Sequence, residues 1–184
     1  MQDITAPYEY TISEKKTPRL RLRRAGLITL YILFPIVILV IVATSKVGAL
    51  FAPMCAFLAI ATWMLVFFTW RYVSIEYEYT VVSGRVTFCK IYGGRSRKKI
   101  TEFMIKDAEA IAPDNKANAD KIKYFSPDKE YNCISAPGAD DAYFMTFRNE
   151  EGTKCVVRFE ATSKMLGICR FYNPSVTVMG KVRF

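Results

Sequence analysis

From Ala25 to Trp70 the chain carries one charge, Lys46, and no polar stripe of helical period breaks the apolar positions. The run divides into two uncharged blocks, Ala25 to Thr44 and Ala49 to Trp70, joined by Ser45-Lys46-Val47-Gly48. A bilayer core of roughly 30 Å takes about 20 apolar residues at about 1.5 Å each, and each block meets that length. The first block holds 13 Leu, Ile, Val or Phe residues. Each favours insertion by roughly 0.3–0.6 kcal/mol near mid-membrane, so the block inserts with several kcal/mol to spare. A transmembrane hairpin over 25–44 and 49–70 is predicted. A core hairpin of a soluble protein would show a polar stripe on each helix, and a cleaved signal peptide would be shorter, with no second span behind it. Pro35 and Pro53 fall inside the spans, where kinks are tolerated, and Trp70 and Tyr72 suit an interfacial aromatic belt.

Past Arg71 the period changes from helical to two. In Val73 to Val81 apolar and polar residues alternate without error, which predicts a strand with one buried face, Tyr77 and Tyr79 pointing inward. Ser83-Gly84 is a hairpin turn, Arg85 to Tyr92 its partner strand, Gly93-Gly94 a second turn, and Lys98 to Met104 a third strand. Ile105 to Ile111 is either one helical turn or the end of that strand, stopped by Pro113. Asp114 to Lys129 reads as a surface loop with a short helix near Asn118 to Ile122. Tyr131 to Ser135 reads as a strand, and Ala142 to Arg148 with Lys154 to Phe159 as a hairpin around Asn149 to Thr153. A single amphipathic helix follows. Thr162 or Ser163 caps it, Ala161, Met165, Ile168, Cys169 and Tyr172 share one face, and Asn173-Pro174 ends it. Strands first and one helix last predict an α+β chain: a membrane hairpin, then a small antiparallel barrel or sandwich closed by a C-terminal helix. Met1 to Lys16 shows no period and reads as a loose tail; Thr17 to Arg24 is a basic juxtamembrane segment.

Charge orients the hairpin. Lys15, Lys16, Arg19, Arg21, Arg23 and Arg24 precede it and Arg71 closes it, against Lys46 alone in the turn. The positive-inside bias predicts a multi-pass protein of the cell membrane with both termini cytoplasmic. The expected divisions are residues 1–24 as cytoplasmic tail, 25–70 as hairpin and 71–184 as cytoplasmic domain. The net charge of +9 is then matched by the anionic inner leaflet rather than by nucleic acid.

Little else carries chemistry. The sequence has no His, which removes Ser-His and Cys-His catalysis and histidine metal sites. The five cysteines (Cys55, Cys89, Cys133, Cys155, Cys169) show no metal spacing and read as buried thiols. Asp140-Asp141 and Glu150-Glu151 are turn residues, and Glu76 and Glu78 share one strand face that reads as wet. No Gly-rich phosphate loop or nucleophile elbow is present, so no enzyme, cofactor or metal is expected. The densest charge in the soluble part is Arg95-Ser96-Arg97-Lys98-Lys99, read as a turn. Arg95, Arg97, Lys98 and Lys99 there are the candidate lipid-headgroup contacts, at roughly 1 kcal/mol per basic residue, and Arg19, Arg21, Arg23, Arg24 and Arg71 the juxtamembrane ones. A solvated turn that protects a sheet edge is the plain alternative.

The hairpin, the stretch Glu76 to Val86 directly after it, the basic run Arg95 to Lys99 and the strand-helix finish Lys154 to Tyr172 together resemble the bacterial pleckstrin-homology-like membrane proteins. That resemblance implies a PH-like β-domain held at the membrane by two N-terminal helices. Lipid-binding PH domains carry Lys-x(n)-Arg-x-Arg across the first hairpin; here Lys90, Arg95 and Arg97 span the second turn. The expected function is a membrane-anchored binding or scaffold module that meets lipid headgroups or a protein partner. The alternative is a subunit of an oligomeric complex or small channel, packed through Gly26, Thr29, Ala43, Ala56, Ala59, Ala61 and Thr62.

Overall fold

The computed structural model describes residues 7–15, 18–44, 51–180 and 182; the predicted turn with Lys46 lies outside them. In chain order the elements are β1 (Tyr8–Ser13), α1 (Pro18–Thr44), α2 (Phe51–Thr69), β2 (Ile75–Val82), β3 (Arg85–Tyr92), β4 (Ser96–Met104), β5 (Ala108–Pro113), α3 (Ala119–Phe125), β6 (Lys129–Cys133), β7 (Ala142–Arg148), β8 (Lys154–Glu160) and α4 (Ser163–Tyr172). Short 3-10 turns at Trp70–Val73 and Ile105–Asp107 follow α2 and β4. The chain divides into two compact units. One holds β1 and nearly everything from Glu76 onward; the other holds α1, α2, the stretch to Ile75 and Tyr92–Gly94.

In the helical unit, Leu20–Thr44 and Phe51–Val73 are long and apolar enough to cross a membrane. Their apolar windows are almost wholly unburied, unlike the core helix of a soluble protein. Pro18 opens α1 at a position where a missing N–H costs nothing, so the helix begins before the apolar block and takes in the basic segment. The helices run antiparallel, as three contacts show. The Arg24 guanidinium donates to the Val73 carbonyl (2.9 Å from Nη2), Tyr31 Oη meets Thr69 Oγ1 at 2.5 Å, and Pro35 and Leu39 face the Cys55 to Val66 stretch. Thr69 gives its own proton to the Leu65 carbonyl, so Tyr31 is the donor between the helices.

The second unit is built on two four-stranded sheets, ordered β1-β2-β3-β4 and β5-β7-β8-β6. β6 runs parallel to β8, against the all-antiparallel expectation. Neither sheet closes into a barrel among the described residues: β1 and β4 end one sheet, β5 and β6 the other. Of the expected barrel or sandwich, the barrel is therefore not formed: the two sheets are open. Their side chains share one core with α4, in which Tyr79, Phe88 and Phe159 pack at 5.3–6.0 Å between ring centres and Phe103 stacks on Phe147 at 3.7 Å. Ser83 and Gly84 both take positive φ (51° and 77°), the geometry of a two-residue hairpin turn. A Cβ on Gly84 would sit 2.8 Å from the Tyr172 ring, so glycine also lets α4 close on this turn. Thr162 Oγ1 accepts from the Met165 N–H (3.2 Å) and settles which residue caps α4.

The largest departure from the sequence reading is at the N-terminus. Residues 8–13 are not a loose tail. They form β1, antiparallel to β2 from Tyr8 opposite Val81 to Ser13 opposite Glu76. Tyr8 and Ile12 enter the core and Tyr10 packs on it. Tyr8 Oη lies 2.6 Å from the Thr162 hydroxyl, and the Lys15 N–H donates to the Ser135 carbonyl (2.9 Å), so β1 is tied to α4 and to the loop after β6 as well. The hairpin is thus an insertion between two paired strands.

A domain begun at Tyr72 therefore lacks an edge strand and two core side chains. A soluble fragment of residues 72–180 should show no sharp thermal unfolding by circular dichroism. Joining residue 14 to residue 75 by a four-residue Gly-Asn loop, with β1 kept, should restore a cooperative transition. Ile12→Asp in that form should abolish it, because a buried charge without a partner costs several kcal/mol.

Candidate functional site

The basic run is not a turn. It opens β4, the terminal strand of its sheet, with Arg97, Lys98 and Lys99 all exposed along it and Arg95 in the turn before it. Positive charge on an open edge discourages pairing with a stray strand.

The four residues do not act alike. Arg97 Nη2 lies 3.1 Å from Glu78 Oε2, joining a guanidinium 64 % exposed to a carboxylate only 7 % exposed. That oxygen accepts no hydrogen bond among the described residues, so the ion pair is its compensation. Glu78 is accordingly not the wet side chain that strand alternation predicts, although Tyr79 beside it is buried in the core as expected. Lys99 Nζ reaches Glu102 Oε2 at 2.9 Å, and Arg85 takes the other oxygen of that carboxylate at 2.7 Å. The Arg85 hydrogen bond first, and then Lys99, hold the Glu102 carboxyl below its ordinary pKa. Two of the four candidate cations are therefore committed to carboxylates of their own domain. Sequence reasoning missed the first pair because Glu78 lies a whole hairpin away from Arg97, and the second although Glu102 stands three residues from Lys99 on the same strand.

The juxtamembrane residues also separate by role. Arg21 and Arg23 are exposed on α1, which also includes Arg19. Arg24 is half-buried and satisfies the Val73 carbonyl, one of those a helix end leaves unpaired. Arg71 lies over the Tyr72 ring at 5.1 Å, and Tyr72 meets Tyr92 edge to face at 6.2 Å. The Gly93 N–H donates to the Ser74 carbonyl (2.7 Å), and a Cβ on Gly93 would stand 3.0 Å from the Arg71 Cβ. The β3–β4 turn is thereby seated on the end of the second apolar helix. Trp70 and Tyr72 remain open there, beside these cations.

Both adjacent carboxylate pairs lie in turns. Asp141 offers its backbone carbonyl to the Ala161 N–H (2.9 Å), and Glu150-Glu151 form the β7–β8 turn. Burial pushes the thiols of Cys133 and Cys169 up to about 12 and raises those of Cys89 and Cys155. None is an activated nucleophile.

A family model, the bacterial PH-like domain (DUF6106), matches residues 7–179, and the chain belongs to that family. The match starts one residue before β1 and takes in both apolar helices. No curated protein and no solved structure matches the chain.

Two outcomes follow from the charges. Arg97→Gln leaves Glu78 buried without its counter-charge and should lower stability by about 1 kcal/mol or more. Adding Glu78→Gln should restore most of it, and Lys98→Gln should change nothing, all read as thermal midpoints. A thiol reagent at pH 8 should leave Cys133 and Cys169 unmodified until the protein unfolds, because a raised pKa keeps both protonated there; peptide mapping reads the sites.

Proposed function

We propose that this bacterial PH-like domain protein is a membrane-anchored binding or scaffold module. The hairpin crosses the membrane and the β-domain stands at its cytoplasmic face, where it meets anionic lipid headgroups or a protein partner. The observation that carries this reading is the pairing of β1 with β2 on either side of the hairpin. The chain leaves the sheet at Ser13 and returns to it at Glu76, so both ends of the anchor are joined in sequence to one sheet. That supports an even number of crossings. The excess of basic residues before the first apolar block supports the cytoplasmic side. It also argues against a removable signal, since cleavage behind α1 would strip β1 from its sheet.

Leaflet contact is supported by the collar of Trp70, Arg71, Tyr72 and Tyr92, and by the single peptide bond between the seated turn at Gly94 and Arg95. With Arg97 and Lys99 held by carboxylates, Lys98 and the exposed Arg21 and Arg23 supply the attraction that remains, at roughly 1 kcal/mol each. That is enough to orient a domain already anchored and too little to recruit one. We read the module as non-catalytic because the sequence has neither His nor a nucleophile motif.

A second reading, a subunit of an oligomeric membrane complex, is favoured by the small residues Gly26, Thr29, Ala43, Ala56 and Ala59. All lie on exposed faces of the two helices, where another helix can approach closely. A monomeric mass for the protein in detergent would count against it.

A cysteine placed at position 46 should react with an impermeant reagent added outside intact cells, and one at position 3 should not; the reverse pattern sinks the topology. An environment-sensitive dye on Lys98→Cys, read in proteoliposomes, should report headgroup contact in anionic lipid, weakening as salt rises. The same signal in neutral lipid would remove the leaflet from the function.

A further inference from the structure

The cations that guard β4 stop at Lys99. From Ile100 to Met104 the outer edge carries no Lys or Arg, and among the described residues no strand pairs with it. This half borders a groove of about 880 Å³ between β4, the start of β5 and the β7–β8 turn. Its wall includes the buried Phe103 and half-buried Met104. Three basic and five acidic side chains line it, so it is locally negative in a chain of net charge +9. Arg85 and Lys99 neutralise Glu102, and Arg148 neutralises Glu109 at 2.8 Å. Asp107, Glu150 and Glu151 are left exposed, with no ion pair among the described residues.

An open edge beside a groove of one sign selects for both backbone and charge. Main-chain N–H and C=O groups on the edge pair with any extended chain, and alternate side chains of that chain fall on one face at about 7 Å intervals. We propose that the Ile100–Met104 edge of β4 takes up an extended segment of a protein partner as an added strand. Lys or Arg residues of the segment answer Asp107, Glu150 and Glu151, and the apolar residues between them fall on the opposite face of the added strand. This deepens the binding-module reading by giving it a partner site, and it rests on that reading. The lipid contacts belong to the exposed cations described above, and the partner site to the acidic groove beyond Lys99. A second copy is a poorer occupant. β4 of another chain would bring its own Glu102 as well as its lysines, and Glu102 is already held by Arg85 and Lys99.

The test uses the full chain in detergent micelles and a fluorescent peptide, Lys-Val-Lys-Val-Lys flanked by threonines. Saturable binding is expected, about tenfold or more tighter than for the same peptide with Glu in place of Lys. Replacing Asp107, Glu150 and Glu151 together by Lys should reverse that preference while thermal unfolding stays in place. Two further peptides carry N-methyl groups on alternate residues. Methylation of the set whose N–H groups face β4 should abolish binding, and methylation of the other set should spare it. No binding of the Lys peptide, binding indifferent to the triple variant, or equal binding of both methylated forms would each overturn the proposal. So would a chain already dimeric through β4 that takes up neither peptide. The dye experiment at position 98 reads the lipid side separately, so the groove and the leaflet can fail independently.

Discussion

The pairing of β1 with β2 is the constraint on which the rest depends. It holds Ser13 opposite Glu76 while two long apolar helices lie between them in sequence. Closing so large a loop through a disordered chain would cost several kcal/mol of entropy, growing by about 0.6 kcal/mol with each doubling of length. The antiparallel helix pair removes much of that cost by returning the chain to where it left. Arg24 on the Val73 carbonyl and Tyr31 on Thr69 close the hairpin near the end where its two strands meet. The sheet is therefore coupled across the hairpin, since β1 before it and β2 after it share one ladder of backbone hydrogen bonds.

That coupling gives the N-terminal strand several attachments. Tyr8 and Ile12 supply apolar burial, Tyr8 reaches the residue that caps α4, and the Lys15 N–H reaches Ser135. Tyr79, opposite Tyr10, donates its hydroxyl proton to the Cys133 carbonyl and accepts from the Glu160 N–H (3.2 Å). One tyrosine of β2 thus joins the first sheet to the ends of β6 and β8. A core this aromatic keeps its few polar atoms on such links, as burial without partners would destabilise it.

Elements that follow from local pattern were legible in the sequence. β3 runs from Arg85 to Tyr92 as its alternation predicts, the β7–β8 hairpin lies where Asn149 to Thr153 marks a turn, and α4 carries its cap and buried face in the expected places. What escaped was non-local. β1 is six residues long, and Tyr8 to Ser13 alternates apolar and polar as a strand does, but its partner lies beyond the hairpin, so the segment read as a tail. The parallel pairing of β6 with β8 likewise depends on where a loop returns. The candidate site divides the same way. Exposure of the basic run follows from composition, but the pairing of Arg97 with Glu78 depends on strands meeting in space.

On the proposed reading, the distribution of charge along β4 divides the strand between two uses. Beside the turn seated on α2, an edge of cations resists stray strands and favours an anionic surface. Two of those cations also answer acids of their own domain, so their charge is spent locally and the attraction to lipid is moderate. Beyond Lys99 the requirement changes sign, because an edge without Lys or Arg next to acidic side chains repels anionic headgroups and leaves a groove free for another partner. A strand uniformly basic along its length would sit more firmly on a leaflet but would lose that second surface. On the proposed reading, the reversal of charge between Lys99 and Glu102 separates a part of the strand suited to lipid from a part suited to a protein.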